Sequence, residues 1–292
     1  MNSIDIVIPA AGRHPDLLRL LASLYKQCAA SLPLHCLTLT VSDDRFDADF
    51  GQQLRAKFPE VRYLRGPARG PAANRNHGAA AAHGDWILFL DDDCFANSNL
   101  LAQYSAAAAQ APQTCVFEGA IHATGPRPNG HHVAPINVQG GYLWSCNFLV
   151  RRRVFESLGG FDERFPYALE DCDFLLRLKA QGSHPVFVAA ATVKHPWRCM
   201  SRAEIARQII GHAIMADKHA AFRSTWTPLH LARMYKGRWR QYRSGRFASI
   251  GWAQYGTVLL DCLAPLATYC AVRWASVRQV LVRRYAQVPG LR

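Results

Sequence analysis

Gly84-Asp85-Trp86-Ile87-Leu88-Phe89-Leu90-Asp91-Asp92-Asp93 is the stretch on which the reading of this chain turns. Trp86 to Leu90 is an unbroken apolar run short enough for a strand buried on both faces, and it ends on three carboxylates. Adjacent carboxylates raise one another's pKa unless a cation or hydrogen bonds relieve them. A divalent ion with oxygen ligands gives that relief, and Mg²⁺ or Mn²⁺ usually takes one or two protein carboxylates plus substrate phosphates. A solvated acidic turn that caps the following helix explains an isolated Asp-Asp-Asp at least as well, so the surrounding chain has to decide.

Upstream, Ile4 to Ile8 reads as a buried strand closed by Pro9, and Asp16 to Cys28 as an amphipathic helix capped by Asp16. Leu37 to Val41 reads as a second strand stopping at Ser42-Asp43-Asp44, Phe50 to Phe58 as a helix, Val61 to Leu64 as a third strand, and Ala72 to Ala82 as an Ala-rich helix. Strands alternating with helices at this spacing predict an α/β fold, a mainly parallel central sheet with helices on both faces. Ligands of such sheets sit beyond the carboxyl ends of the strands. Three strand ends here deliver Pro9-Ala10-Ala11, Asp43-Asp44 and Asp91-Asp92-Asp93 to one edge. Downstream, Asn99–Ala111, Arg152–Leu158 and Glu170–Gln181 read as helices, and Val116–Ala120, Asn147–Val150 and Val186–Ala190 as strands; Gly125 to Gly141 reads as a loop.

Gly70-Pro71-Ala72-Ala73-Asn74-Arg75-Asn76-His77-Gly78 followed by the strand and its Asp-x-Asp ending resembles the family-2 glycosyltransferases of GT-A fold, in which a G-x-x-x-A-R-N-x-G helix precedes such a strand. Val7-Ile8-Pro9, Asp43-Asp44, the segment Asn147 to Glu163, Glu170-Asp171 with Asp173, and His195 continue the resemblance in order over about two thirds of the chain. Each motif alone is weak; their order makes the signal specific. The resemblance implies an inverting enzyme that moves a sugar from a nucleoside-diphosphate sugar, UDP-linked by expectation, to a hydroxyl of a lipid-linked or cell-surface glycan. Pro9, Ala10, Asp43 and Asp44 would then face the nucleotide, Arg75 the diphosphate and Asp91 the nucleoside side of the donor. Asp93 and His195 would hold Mn²⁺ or Mg²⁺, with Asp92, between Asp91 and Asp93, at the nucleotide sugar and able to share either role. Asp171 would be the general base with Glu170 orienting the acceptor, and Trp144, Asn147 and Trp197 would lie on the acceptor side, Tyr142 with them as a stacking surface. The chain departs from the pattern at Asn74 in place of Ala, at P-A-A-G in place of P-T-Y-N after the first strand, and at Asp44-Arg45-Phe46 in place of Asp-Gly-Ser.

Residues 1–199 are expected to form the transferase domain and 200–292 a basic, mainly helical extension. The 292 residues carry a formal charge of +13. From Arg198 onward there are many Arg and Lys but only Glu204, Asp217 and Asp261 as acids. Trp239, Tyr242, Phe247, Trp252 and Tyr255 interleave there with Arg233, Lys236, Arg238, Arg240, Arg243 and Arg246, which suits an anionic membrane surface. Gly256 to Val272 is too short and interrupted for a span, since Asp261 and Pro265 fall within it. Nine scattered cysteines without C-x-x-C or zinc spacing read as buried reduced thiols. No secretory signal is visible, so the expected place is the cytoplasm, peripheral on the inner face of the membrane. A sugar-1-phosphate nucleotidyltransferase or a non-catalytic polyanion-binding protein are the competing classes. Nucleic acid is not expected as a partner, because acids gathered at strand ends repel a phosphate backbone.

Overall fold

The computed structural model describes residues 2–28, 34–128, 132–243 and 255–287. They fall into two compact units: Met1–Thr124, Pro135–Glu163 and Glu170–Pro196 in the first, and Gly125–Ala134, Arg164–Leu169 and Trp197–Arg292 in the second.

The first unit is built on a sheet. In chain order it comprises β1 (Asn2–Ala10), α1 (His14–Cys28), β2 (Leu34–Asp43), α2 (Ala48–Lys57), β3 (Val61–Arg65), α3 (Pro71–Ala80), β4 (Trp86–Leu90), β5 (Phe95–Ala96), α4 (Leu100–Gln110) and β6 (Val116–Ala123). After β7 (His132–Val133), which belongs to the second unit, come β8 (Asn147–Arg151), α5 (Arg152–Ser157), α6 (Glu170–Ala180) and β9 (Val186–His195). The sheet order is β3-β2-β1-β4-β8-β6-β9-β5. The first four strands are mutually parallel; beyond β4 the sheet is mixed, because β8 runs antiparallel to both β4 and β6. Parallel neighbours need a crossover connection, which the helices between the first four strands supply, whereas an antiparallel strand such as β8 needs none.

Alternation along β1 and β4 divides the core in two. Ile4, Ile6 and Ile8 with Trp86, Leu88 and Leu90 face α1, α2 and α4, through Leu17, Leu21, Phe50, Leu54, Leu101 and Tyr104. Val7, Ile87 and Phe89 face α3, α5 and α6, through Ala72, Phe155, Phe174 and Leu178. Each such side chain contributes about 1.5–3 kcal/mol on burial, so both faces of β4 are committed and its register is fixed. That register is what sends Asp91-Asp92-Asp93 off the sheet edge at one defined place. The one acid inside β1, Asp5, is buried and satisfied: it accepts from the Thr38 hydroxyl at 2.8 Å and from the His83 and Gly84 amides, tying β1 to the turn before β4.

Two local expectations change. Helix α1 begins at His14, so Asp16 lies in its first turn and pairs with Arg19 at 2.6 Å instead of capping it. The late strand does not stop at Ala190 but continues as β9 to His195, paired with β6 on both sides of an irregularity at Ala189–Ala191.

The second unit is mainly helical: α7 (Arg202–Lys218), α8 (Ala220–Thr225), α9 (Pro228–Arg243), α10 (Tyr255–Arg273) and α11 (Ala275–Gln287), after the short β10 (Arg198–Cys199) that pairs with β7. Ser201 and Glu204 close a capping box on α7. Trp226, Ala216 and Val272 form a small core there. No described helix is long and apolar enough to cross a membrane. Phe247, Trp252 and Arg246 lie outside the described residues, as do the side chains of Arg238, Trp239, Tyr242, Arg243 and Tyr255. Of the eight cysteines whose side chains are described, all unbridged, only Cys94 and Cys146 are buried, so the expectation of buried thiols holds for those two; the side chain of Cys36, in β2, is outside the description.

Candidate active site

The carboxyl ends of β1 and β2 meet at Asp43. Ala10 is paired with Asp43 in the sheet, and three segments close on that carboxylate: Oδ1 accepts from the Gly12 amide after β1 at 3.1 Å and the Arg45 amide after β2 at 2.8 Å, and Oδ2 from the Tyr63 hydroxyl in β3 at 2.9 Å. Asp43 is therefore buried and engaged within the protein, and it shapes the loop through Gly12, whose φ of 79° suits glycine. Asp44 accepts from the Ala68 amide at 2.9 Å. Pro9 and Ala10 are buried, and the Ala10 carbonyl accepts from Asn74 Nδ2 at 3.0 Å. Asn74, where the resembled pattern has Ala, is thus the tie between the end of β1 and helix α3.

Arg75 sits one residue further along α3 and is buried. Its Nη2 donates to Asp91 Oδ1 at 2.6 Å and its Nη1 to Glu170 Oε1 at 2.7 Å. Burial opposes its charge, yet Asp91 and Glu170 outweigh burial and hold the guanidinium charged. Burial alone would also raise Asp91; Arg75 and His195 overcome it and hold that carboxyl well below the usual range. Asp92 and Asp93 turn the other way, to Arg13 on the loop after β1: Nε and Nη2 donate to Asp92, and Nη1 lies 3.1 Å from Asp93 Oδ2. Even so, burial pushes Asp92 up to about 6. The three aspartates are thus neither a solvated turn nor a cap. They are divided between two arginines.

His195, at the end of β9, is buried and stands against the same cluster, with Nε2 3.2 Å from Asp93 Oδ1 and 3.8 Å from Asp91 Oδ2. Its Nδ1 lies 2.8 Å from the Pro196 carbonyl, which accepts only if Nδ1 carries the proton. In the neutral ring Nε2 then turns a lone pair toward carboxylate oxygens, and a proton or a metal ion has to come between them. Asp93, His195 and Cys94 offer ligand atoms that all lie within 4.8 Å of one another. A hydrogen bond to Cys146 lowers the Cys94 thiol, but burial and the charges of Asp91 and Asp93 together outweigh it, so it stays a thiol. An imidazole nitrogen with carboxylate oxygens is a donor set that fits Mn²⁺ and, less well, Mg²⁺.

Glu170 and Asp171 open α6, where acids oppose the helix dipole favourably. Asp171 accepts from the Ser145 amide at 3.1 Å and the Cys172 amide at 2.8 Å. Burial raises the pKa of both acids; the charge of Asp171 adds to the shift of Glu170 and that of Asp91 to the shift of Asp171, and Arg75 pulls against both without reversing either. Arg75 brings Glu170, and Asp171 with it, to the Asp91 cluster.

The residues expected on the acceptor side separate. Trp144 stacks on the exposed Tyr142, ring centroids 5.7 Å apart and 8° from parallel. Asn147 is turned into the sheet instead: Nδ2 donates to the Ala120 and Ala191 carbonyls and Oδ1 accepts from Tyr104. Trp197 belongs to the second unit, where its Nε1 donates to the Gly125 carbonyl at 3.1 Å. Two residues had no place in the sequence reading of the site. One is Arg13. The other is Glu118, a buried acid in β6 that accepts from Asn137 Nδ2 and from the Gly141, Tyr142 and Leu143 amides, so that the loop carrying Tyr142 is folded around it. The signal for Glu118 was a lone acid in the apolar run Val116-Phe117-Glu118-Gly119-Ala120-Ile121; for Arg13 it was only that Ala10-Ala11-Gly12-Arg13 faintly echoes the Gly-rich, basic loop after the first strand of the competing nucleotidyltransferase class.

Comparisons with known proteins fall on the same residues. The model of the family described as Glycosyl transferase family 2 matches residues 5–159, and that of Glycosyltransferase like family 2 matches 142–198. The O-antigen biosynthesis protein RfbC of Myxococcus xanthus is 31% identical over 232 residues, which cover 69% of this chain and 18% of that protein. The chain spans less than two thirds of the length of the first curated relatives it matches. Among solved structures, S. aureus TarS 1-349 in complex with UDP superposes at a TM-score of 0.54 with 16% identity, over 100% of this chain and 88% of that one. The mannosyltransferase PcManGT from Pyrobaculum calidifontis, in complex with GDP-Man and Mn²⁺, superposes at 0.52 with 13% identity, over 98% and 75%. By the extent of the family match and by its architecture, this chain belongs to glycosyltransferase family 2 and has the GT-A fold.

Proposed function

We propose that the chain is an inverting glycosyltransferase that moves a sugar from a nucleoside-diphosphate sugar, UDP-linked, to a hydroxyl of a lipid-linked or cell-surface glycan. The observation that carries this reading is the double ion pair of Arg75, which joins the acids at the end of β4 to the acids at the start of α6. In such a transfer the acceptor oxygen bonds to the anomeric carbon as the bond from that carbon to the diphosphate breaks, and the acceptor's proton must go to a base. Asp171 is that base in our reading: burial holds its pKa up, so its carboxylate is a better proton acceptor than an exposed aspartate. Glu170 orients the acceptor, Asp43 and Asp44 border the nucleotide, and Tyr142 with Trp144 form a stacking surface for the acceptor sugar. Asp93 and His195, beside Asp91, would hold Mn²⁺ or Mg²⁺, which when bound offsets charge on the departing diphosphate. That TarS is described with UDP and PcManGT with GDP-Man and Mn²⁺ supports this choice of donor class and metal.

Residues 1–199 are the transferase domain in this proposal and 200–292 an extension for an anionic membrane surface at the cytoplasmic face. From Arg198 onward sixteen Arg and Lys face three acids, which accounts for the whole formal charge of +13. Leu259, Leu263 and Leu266 of α10, spaced to lie on one side of the helix, are 62%, 50% and 46% exposed. Cationic charge beside exposed leucines suits a headgroup layer.

The test is release of nucleoside diphosphate from a panel of sugar nucleotides with Mn²⁺, with and without lipid-linked acceptors. Acceptor-dependent release should be seen with the wild-type chain and should fall by about 10²–10⁴-fold in a folded Asp171→Asn variant. Undiminished release from that variant would remove Asp171 from the role.

A further inference from the structure

Arg13 is placed where a cation bound at this site would have to compete with it. It follows Ala11-Gly12 at the end of β1, in the loop that departs from the family pattern. Nε donates to Asp92 Oδ2 at 3.2 Å, Nη2 reaches Asp92 Oδ1, and Nη1 stands 3.1 Å from Asp93 Oδ2. The other oxygen of Asp93, Oδ1, faces His195 Nε2. Asp93 is therefore shared: one oxygen belongs to the arginine, the other to the imidazole. The Arg13 side chain is 37% exposed while those of Asp92 and Asp93 are 0% and 2% exposed, so the cation reaches in from solvent to acids that do not reach out. The loop behind it is anchored independently, by the Gly12 amide on Asp43. Arg75, by contrast, is 5% exposed and spans two acids at once. Of these two arginines, Arg13 is the one with a path to solvent.

We propose that Arg13 is a built-in cation that occupies Asp92 and Asp93 in the donor-free protein and thereby makes divalent-metal binding depend on the nucleoside diphosphate. The proposal rests on the reading of Asp93 and His195 as metal ligands. A guanidinium and a divalent ion on one carboxylate repel each other, so with Arg13 in place the metal binds weakly. A diphosphate offers the guanidinium new oxygens of matching geometry. Arg13 can then leave the aspartates without losing its partner charge, and the metal gains them. By linkage the same coupling must tighten nucleotide binding when metal is present.

Free Mn²⁺ measured by electron paramagnetic resonance tests this on the full chain, for wild type, Arg13→Gln and Arg13→Lys, each with and without UDP. Because the diphosphate also coordinates Mn²⁺ directly, some coupling to UDP is expected in every protein, and the difference between variants isolates Arg13. Arg13→Gln should bind Mn²⁺ alone about tenfold more tightly than wild type, and UDP should add correspondingly less. Arg13→Lys, which keeps the charge without the fork and carries the test if the glutamine variant does not fold, should lie between the two. Equal Mn²⁺ affinity in all three, with the UDP effect unchanged, would make Arg13 a fixed clamp of the loop and overturn the proposal. If wild type binds UDP but none of the three binds Mn²⁺ under any condition, the metal site itself is lost and the proposal falls with it.

Discussion

Arg75 and Glu170, 95 positions apart in sequence, are joined in the interior by a hydrogen bond of 2.7 Å from Nη1 to Oε1, which becomes an ion pair when Glu170 ionises. The same guanidinium holds Asp91 with its other nitrogen. The pair therefore links the amino-terminal half of the sheet, through α3 and β4, to helix α6, and it sets where the acids expected to bind the donor stand relative to those expected to receive the acceptor's proton. A planar two-sided donor suits this task in a way a lysine does not.

Removing Arg75 should be costly. Arg75→Met leaves Asp91 and Glu170 close together without their common counterion, and breaking a buried pair on one side costs about 3–5 kcal/mol. Urea unfolding should show that loss, with Arg75→Lys recovering part of it. A loss under about 1 kcal/mol would mean that the pair does not hold the two halves of the site together.

The pH dependence has a defined sign. Burial, with the charge of Asp171 added, raises Glu170 to about 8, and burial raises Asp171 as well, so both keep their protons above the pH near 4 at which they would ionise in the unfolded chain. Across that window the folded state binds more protons, so stability falls as pH rises through it. Asp92, raised to about 6, adds with the same sign. Asp91 acts oppositely, but its contribution is fully present above its unfolded pKa and is lost only on strong acidification. Urea midpoints should therefore decline between pH 5 and 7 in the metal-free protein, and Glu170→Gln should flatten the trend. Transfer should run the other way: with Asp171 as base, kcat/KM rises with pH on a limb above the ordinary carboxylate range.

Glu118 gives a prediction for the acceptor. Four donors converge on its carboxylate, three of them successive backbone amides, including that of Leu143, held at a φ of 50°. Glu118→Gln sets an amide NH₂ against those donors and should cost about 1–3 kcal/mol. Because the loop carries Tyr142 and Trp144, the acceptor KM should rise while kcat changes little. A fall in kcat with KM unchanged would place the loop elsewhere in the reaction.

For the membrane surface, co-sedimentation with phosphatidylglycerol vesicles at low salt should retain the wild-type chain and lose it as salt rises. Leu263→Glu on α10 should weaken retention. A protein that ignores anionic vesicles at low salt would sink the membrane reading.

The fold was legible where local chemistry and long-range packing agree. Trp86 to Leu90 could be read as a two-sided buried strand because each of its residues is committed to one of two cores, and Asp91-Asp92-Asp93 could be read as a strand end for the same reason. The order of the motifs grouped Glu170-Asp171 and His195 with the acids after β4, and the structure brings Glu170 (through Arg75) and His195 to those acids. What the sequence did not carry are partnerships that exist only in three dimensions. Nothing around Arg13 announces that its guanidinium crosses to Asp92, 79 positions away. Asn147 looks like a polar residue available at a strand start, but β6 and β9 present it with two carbonyls to satisfy, and its side chain is spent there. Likewise Gly125–Ala134 and Arg164–Leu169 group with the C-terminal helices, a division that composition does not reveal.

The central claim, that the acids at the end of β4 form the site of a nucleoside-diphosphate donor, is tested most directly by the thermal midpoint of the protein with UDP and Mn²⁺. Ligand at about a hundred times its Kd stabilises by about 2.7 kcal/mol. The wild-type chain should therefore show a clear upward shift, and a folded Asp93→Ala variant should lose most of it. No shift in the wild type, or the full shift in Asp93→Ala, would contradict the account.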